Sequence, residues 1–252
     1  MTKPRIEGYY KYSSEKLVAS KILQSALGSK TYESVLDVGC GDGTLTQFLS
    51  EKTGKLHLCE ISSFYKEKLE SRFPQAHIEI DDIWNISLKR YDLIHFSQGL
   101  YYHDKQKWIA LIDHLMKSLL PDGELILVMN CDVGDWWEAV KSVWQTRPGS
   151  LKFHYWQISD FINQLRLKYE IGEHQFSYGV TFTDTQERDR FIVGACVPLH
   201  PGEIEATGLL NQFISQLSSD LLSLEYQSVL ISITQPVARS NGFIERSVST
   251  PS

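Results

Sequence analysis

The sequence predicts an α/β domain in which a doubly wound, mostly parallel sheet carries helices on both faces. Three observations predict it. Short apolar runs alternate with amphipathic stretches between residues 34 and 129, the pattern of successive βαβ units. The first run, Val35-Leu36-Asp37-Val38, passes directly into a glycine loop, Gly39-Cys40-Gly41-Asp42-Gly43. Acidic residues follow the next two runs, at Glu60 and at Asp81-Asp82.

Each element has a local reason. Leu17, Val18, Ile22, Leu23, Ala26 and Leu27 recur at helical spacing between Ser13-Ser14 and Gly28, predicting a helix over 13–27. Strands are expected at 34–38, 56–59, 76–80, 92–96 and 124–129. Helices at 44–52, 62–72 and 105–120 separate them; Pro74 ends the second, and Pro121-Asp122-Gly123 forms a turn after the third. Beyond 130 the pattern changes to aromatic-rich helices near 135–146 and 157–168, a strand over 169–178, a helix within 203–222 and a last strand, Tyr226 to Thr234. From Pro236 onward there are few core residues, which predicts a mobile tail.

The 252 residues suffice for one large domain. No run of eighteen apolar residues is present, and Met1 to Tyr12 has no apolar stretch behind its charges, so neither a membrane span nor a secretory signal is expected. A net charge of −6 argues against a nucleic-acid partner, which needs a basic face. Cys40, Cys59, Cys131 and Cys196 form no CxxC pair and no metal-ligand spacing. They read as reduced, small apolar side chains of a cytoplasmic protein, with no metal expected.

The glycine loop carries the chemistry. Glycines let backbone approach a ligand at the carboxyl edge of a parallel sheet. A dinucleotide fold wants GxGxxG, but Thr44 stands where the third glycine would be, Asp37 ends the strand and Asp42 lies inside the loop. A pyrophosphate there would meet negative charge instead of bare N–H groups. S-adenosylmethionine (SAM) has no phosphate and bears a sulfonium and an ammonium, which nearby carboxylates favour. The expected cofactor contacts are Asp37, Gly39, Cys40 and Gly41 at the loop, and Glu60 with Ile61 for the ribose hydroxyls. Asp81, Asp82 and Ile83 are expected at the adenine and Ser97 at the end of the fourth strand. Gln98, an amide beside the donor methyl, is expected to orient an acceptor N–H or O–H.

These features in this order resemble the class I SAM-dependent methyltransferases over about residues 33 to 130. The resemblance implies a seven-stranded sheet whose last strand runs antiparallel beside the fifth, under a helical substrate cap. A closer likeness lies in Tyr91-Asp92-Leu93-Ile94-His95-Phe96-Ser97-Gln98-Gly99-Leu100-Tyr101-Tyr102 and in residues 157–169, which are similar to stretches of histamine N-methyltransferase. By position this likeness implies Glu15 and Gln98 as acceptor-binding, catalytic groups and Ser97 as a SAM contact. Tyr101, Tyr102, Trp136 and Trp137 are candidates for an aromatic acceptor pocket. The chain departs from that pattern at Cys40, where the family has glycine, at Ile61, where it has proline, and in the tryptophan region, which aligns loosely.

The expected organisation is an N-terminal helical lid (1–30), a SAM-binding core (31–130), a substrate cap with closing strands of the same domain (131–235) and a tail (236–252). The expected function is methyl transfer to a small molecule, with an amine nitrogen favoured and an oxygen or carboxylate of a metabolite or natural product as the alternative. A reading of another class is a SAM-binding module without catalysis. Monomer and homodimer remain equally open.

Overall fold

The structure is a computed structural model that describes residues 10–135, 137, 158–196, 214–215, 217–218 and 221–236. Its elements in chain order are α1 (Glu15–Leu27), β1 (Tyr32–Val38), α2 (Thr46–Ser50), β2 (Thr53–Cys59), α3 (Lys66–Arg72), β3 (His77–Glu79) and β4 (Tyr91–Ser97). There follow α4 (Trp108–Lys117), β5 (Leu119–Asn130), α5 (Ile158–Arg166), β6 (Glu170–Thr181), α6 (Thr185–Cys196) and β7 (Ser223–Thr234). The strands form one seven-stranded sheet in the order β3-β2-β1-β4-β5-β7-β6. The first five are parallel to one another, and β7 runs antiparallel to both β5 and β6. The expected doubly wound fold and the expected antiparallel last strand beside β5 are both observed.

The two-residue period of the strands divides the core between the faces. Leu36, Ile94, Phe96, Leu125 and Leu127 point to the face covered by α4 and α5, where Trp108, Leu111, Leu115, Phe161 and Leu165 pack. Val35, Leu93, Ile126 and Val128 alternate with them and meet Ala19, Leu23 and Leu27 of α1 on the other face. Each such buried valine, leucine, isoleucine or phenylalanine contributes about 1.5–3 kcal/mol through apolar area removed from water. The chain order reverses between β1 and β4, opening a crevice at their carboxyl ends.

Several elements differ from expectation for identifiable reasons. The helix after the glycine loop is only five residues, because 43–45 remain a turn. Helix α3 begins after a 3-10 turn at Ser63–Tyr65, and α4 after another at Lys105–Lys107. Pro121-Asp122-Gly123 does not end a helix; it lies inside β5, where pairing with β4 jumps from Tyr91↔Leu119 to Leu93↔Glu124. Proline offers no N–H to the ladder, so the strand bulges past it. Helix α6 was not expected. Its signal was a reciprocal N-terminal cap: Asp184 Oδ1 accepts the Glu187 N–H at 2.8 Å, and Glu187 accepts the Thr183 hydroxyl at 2.6 Å. The helices expected near 135–146 and within 203–222, and the tail, lie almost entirely outside the described residues.

Candidate functional site

A cavity of about 390 Å³ opens at the carboxyl ends of β1, β2 and β4, with α1 across it, within the size range of small-molecule sites. Asp37, Gly39, Cys40, Gly41, Glu60, Ile61, Asp81, Asp82, Ile83 and Ser97 all line it, together with Glu15, Gln98 and Tyr102. Tyr101 and Trp137 do not. Tyr101 turns beneath the site, where its hydroxyl pairs with the Asn130 backbone N–H, and Trp137 is buried. Trp136 lies outside the described residues. The aromatic pocket expected from these four residues is thus represented in the lining by Tyr102 alone, among the described residues.

The loop geometry follows from its glycines. Gly41 has φ 55°, and a Cβ there would meet nothing within 4 Å, which leaves bare backbone facing open space. Gly43 has φ 75°, and a Cβ would stand 2.5 Å from the ring of Phe73, which follows α3, and 3.2 Å from Leu69 within it, so the end of α3 packs directly on the loop. Glu60 is buried and clamps the loop from β2. Its Oε2 accepts the Gly41 N–H and its Oε1 the Ser62 N–H, each at 2.8 Å. Burial raises its carboxyl above the ordinary value, and those two backbone donors oppose the rise.

The acids divide by role. Asp37 does not offer a free carboxylate to a cation, as the sequence suggested. Its Oδ1 pairs with His95 Nδ1 at 2.8 Å and its Oδ2 accepts the Thr46 hydroxyl at 2.6 Å, all buried. It orients His95, whose Nε2 is buried without a hydrogen-bond partner while the residue lines the cavity. Asp42 binds Lys16 Nζ at 2.7 Å and Lys68 Nζ at 3.1 Å, and caps Thr44. Burial alone would raise its carboxyl, but Lys16, Thr44 and Lys68 outweigh it and hold the group well below the ordinary range. The Lys16 contact ties α1 to the glycine loop. Cys40 is a neutral thiol, pushed up by burial and by Asp37 and Glu60.

The wall expected to face an acceptor is built on Gln98. This residue has φ 53°, a left-handed conformation rare outside glycine. Its N–H donates to Val128 O at 2.9 Å, and its side-chain Nε2 donates to Asn130 Oδ1 at 3.0 Å. Asn130 Oδ1 also accepts Tyr178 OH at 2.9 Å and Ser228 Oγ at 2.6 Å. With the amide so oriented, Gln98 Oε1 is buried and has no partner. Such an orphaned acceptor costs stability unless a ligand donates to it. Glu15 reaches the cavity because the chain ahead of α1 is pinned to β6: the Ser14 N–H donates to Gly179 O at 2.9 Å, and Ser14 Oγ bonds the Gly179 backbone at 3.1 Å. Sequence reasoning missed Asn130, Tyr178 and Ser228, whose joint role appears only when β5, β6 and β7 are side by side, and it missed Tyr10, Lys16 and Tyr65 in the lining. Lys16 follows Glu15 on α1, a position from which a reach to the loop was foreseeable.

A sheet reversing at β1 and β4, a glycine loop without a phosphate cradle and an acid clamping it from β2 define a class I SAM-dependent methyltransferase domain. The chain belongs to the methyltransferase-domain family, whose pattern it matches over residues 10–167. It is 29% identical over 119 residues to nodulation protein S of Azorhizobium caulinodans, in a match covering 46% of this chain and 56% of that protein. The chain thus spans little more than half the length of that relative. It is 28% identical over 125 residues to trans-aconitate 2-methyltransferase of Variovorax paradoxus, covering 48% of each. Among solved structures, the N-methyltransferase NodS of Bradyrhizobium japonicum in complex with S-adenosylhomocysteine superposes with TM-score 0.54 at 17% identity, over 88% of this chain and 87% of that one. The YcgJ protein of Bacillus subtilis gives TM-score 0.61 at 12% identity, over 87% and 99%.

Proposed function

We propose that the protein transfers a methyl group from SAM to a small-molecule acceptor, an amine nitrogen by preference, in the manner suggested by its likeness to histamine N-methyltransferase. The observation that carries this reading is that Gln98, whose Oε1 is buried without a partner, and Glu15 line the same cavity as the glycine loop. The residues suit SAM: bare backbone at Gly41, an acid at Glu60 for ribose hydroxyls, and Ile61 and Ile83 as apolar walls for a ring. When bound, SAM supplies a methyl group on a sulfonium leaving group.

The chain's own task is then positioning and water exclusion. Gln98 Oε1 accepts a hydrogen bond from an N–H of the acceptor, which fixes the direction of the nitrogen lone pair. Glu15 neutralises a cationic amine and, where the amine arrives protonated, takes up its proton. Tyr102 and Ile61, both exposed on the cavity wall, are covered when ligands fill it. Among the described residues no helix is long and apolar enough to cross a membrane.

Incubation with methyl-labelled SAM and a panel of biogenic amines, phenols and small acids tests the reading. Transfer to an amine is expected; transfer only to phenols or acids would move the assignment to oxygen. Glu15→Gln is expected to lower amine turnover by about a hundredfold with S-adenosylhomocysteine affinity unchanged by calorimetry. Unaltered turnover would remove Glu15 from the reaction.

A further inference from the structure

A second cluster of chemistry-bearing side chains lies away from the cofactor cavity, on the β2–β3 edge of the sheet. His57 and His77 are direct cross-strand partners, and Glu79 stands two residues beyond His77 on the same face. The ligand-type atoms of the three lie within 4.8 Å of one another. His77 Nε2 is 2.8 Å from Glu79 Oε1, and His57 Nε2 is 3.2 Å from the same oxygen. The latter contact lacks the alignment of a hydrogen bond, so His57 Nε2 is buried without a partner. On the other side of the ring, His57 Nδ1 bonds Tyr91 OH at 2.5 Å.

We propose that His57, His77 and Glu79 form a binding site for a divalent transition-metal ion of the zinc class. Two imidazoles and one carboxylate are a donor set zinc uses, with water completing four-coordination. Ligands about 2.0–2.1 Å from a tetrahedral ion lie about 3.3 Å apart, close to the 2.8 and 3.2 Å that separate Glu79 Oε1 from the two imidazole Nε2 atoms. Tyr91 supplies the outer contact: accepting the His57 Nδ1–H, it holds the tautomer whose Nε2 lone pair faces the ion. His77 carries its proton on Nδ1 when the ion is bound. Its side chain is 57% exposed, which leaves an entry path and room for the water ligand.

The location gives the site a consequence. Strand β3 is three residues long and pairs only with β2. It leads directly into Asp81, Asp82 and Ile83 on the cavity wall. An ion bridging His57 to His77 and Glu79 cross-links that short edge strand to the sheet, and so steadies the wall that follows it.

The test uses the full chain, stripped with chelator, loaded with zinc chloride and dialysed against metal-free buffer, with bound zinc measured by elemental analysis. His77→Ala and Glu79→Gln are treated identically, with folding checked by circular dichroism. Glu79→Gln conserves shape and keeps the test open if the histidine variant fails to fold. An equimolar amount of zinc retained by the parent protein, and lost in the folded variants, is the expected result. No retained zinc, or equal retention by the variants, overturns the proposal.

Discussion

The glycine-loop side of the cavity and its Gln98 side differ in how far along the chain their contacts reach. Asp42 caps Thr44 two residues away, Asp37 binds Thr46 nine away, and Glu60 clamps Gly41 across 19. On the Gln98 side Asn130 gathers Gln98 across 32 residues, Tyr178 across 48 and Ser228 across 98, while Ser14 meets Gly179 across 165. The glycine-loop side is thus largely a product of one βαβ unit, and the Gln98 side a product of the closed sheet. Asp37 to His95, 58 residues apart, is a buried bond that joins the loop strand to β4, and Lys16 to Asp42 ties α1 to the loop.

That joint is where the contrast is broken most easily. Asp37→Ala removes the partner of a buried His95 and of Thr46, and is expected to destabilise the protein by about 3 kcal/mol, read by chemical denaturation. Loss of S-adenosylhomocysteine binding should accompany it. A variant of full stability would show that the loop does not depend on the pair.

Asn130→Ala sharpens the contrast. It frees the Gln98 amide without touching the loop, so kcat/KM for the acceptor is expected to fall by about tenfold or more, with cofactor affinity unchanged by calorimetry. A matching loss of cofactor affinity would mean that the two sides are not separable.

The smallest effect is expected at Asp42→Asn, which loses the Lys16 and Lys68 pairs. These contacts are partly solvated, so the cost at pH 7 is expected to stay below about 1 kcal/mol. The folded carboxyl titrates below its unfolded value, so its contribution is present above the unfolded value and fades as pH falls through the folded one. Denaturation curves at pH 7 and in acid should show the variant and parent converging at low pH. A difference that grew in acid would contradict the ion-pair account.

Legibility followed the same division. That Gly39, Gly41, Glu60 and the acids at 81–82 would gather at one sheet edge was readable because a strand, its turn and the next strand end lie within one repeating unit. The purpose assigned to Asp37 was not: nothing near it in the chain announces His95 as its partner, and the carboxylate read as facing a cation proved already occupied. Tyr101 failed similarly, since a tyrosine beside a strand end reads alike whether it faces the cavity or the Asn130 backbone. The His57, His77 and Glu79 cluster left no trace in spacing, because pairing across two strands makes neighbours of residues whose separation carries no motif.

The sequence by itself determined the sheet's class, its crossover pattern and the edge where the glycine loop and the acids gather, since these depend on alternation, glycine dihedrals and strand-end residues that act within a few tens of positions. Only the tertiary structure decided which acids are free, which way the Gln98 amide points and how Glu15 arrives over the cavity. Those outcomes rest on hydrogen bonds between strands distant in the chain, and a buried polar atom's role is set by whichever partner the fold brings within 3 Å.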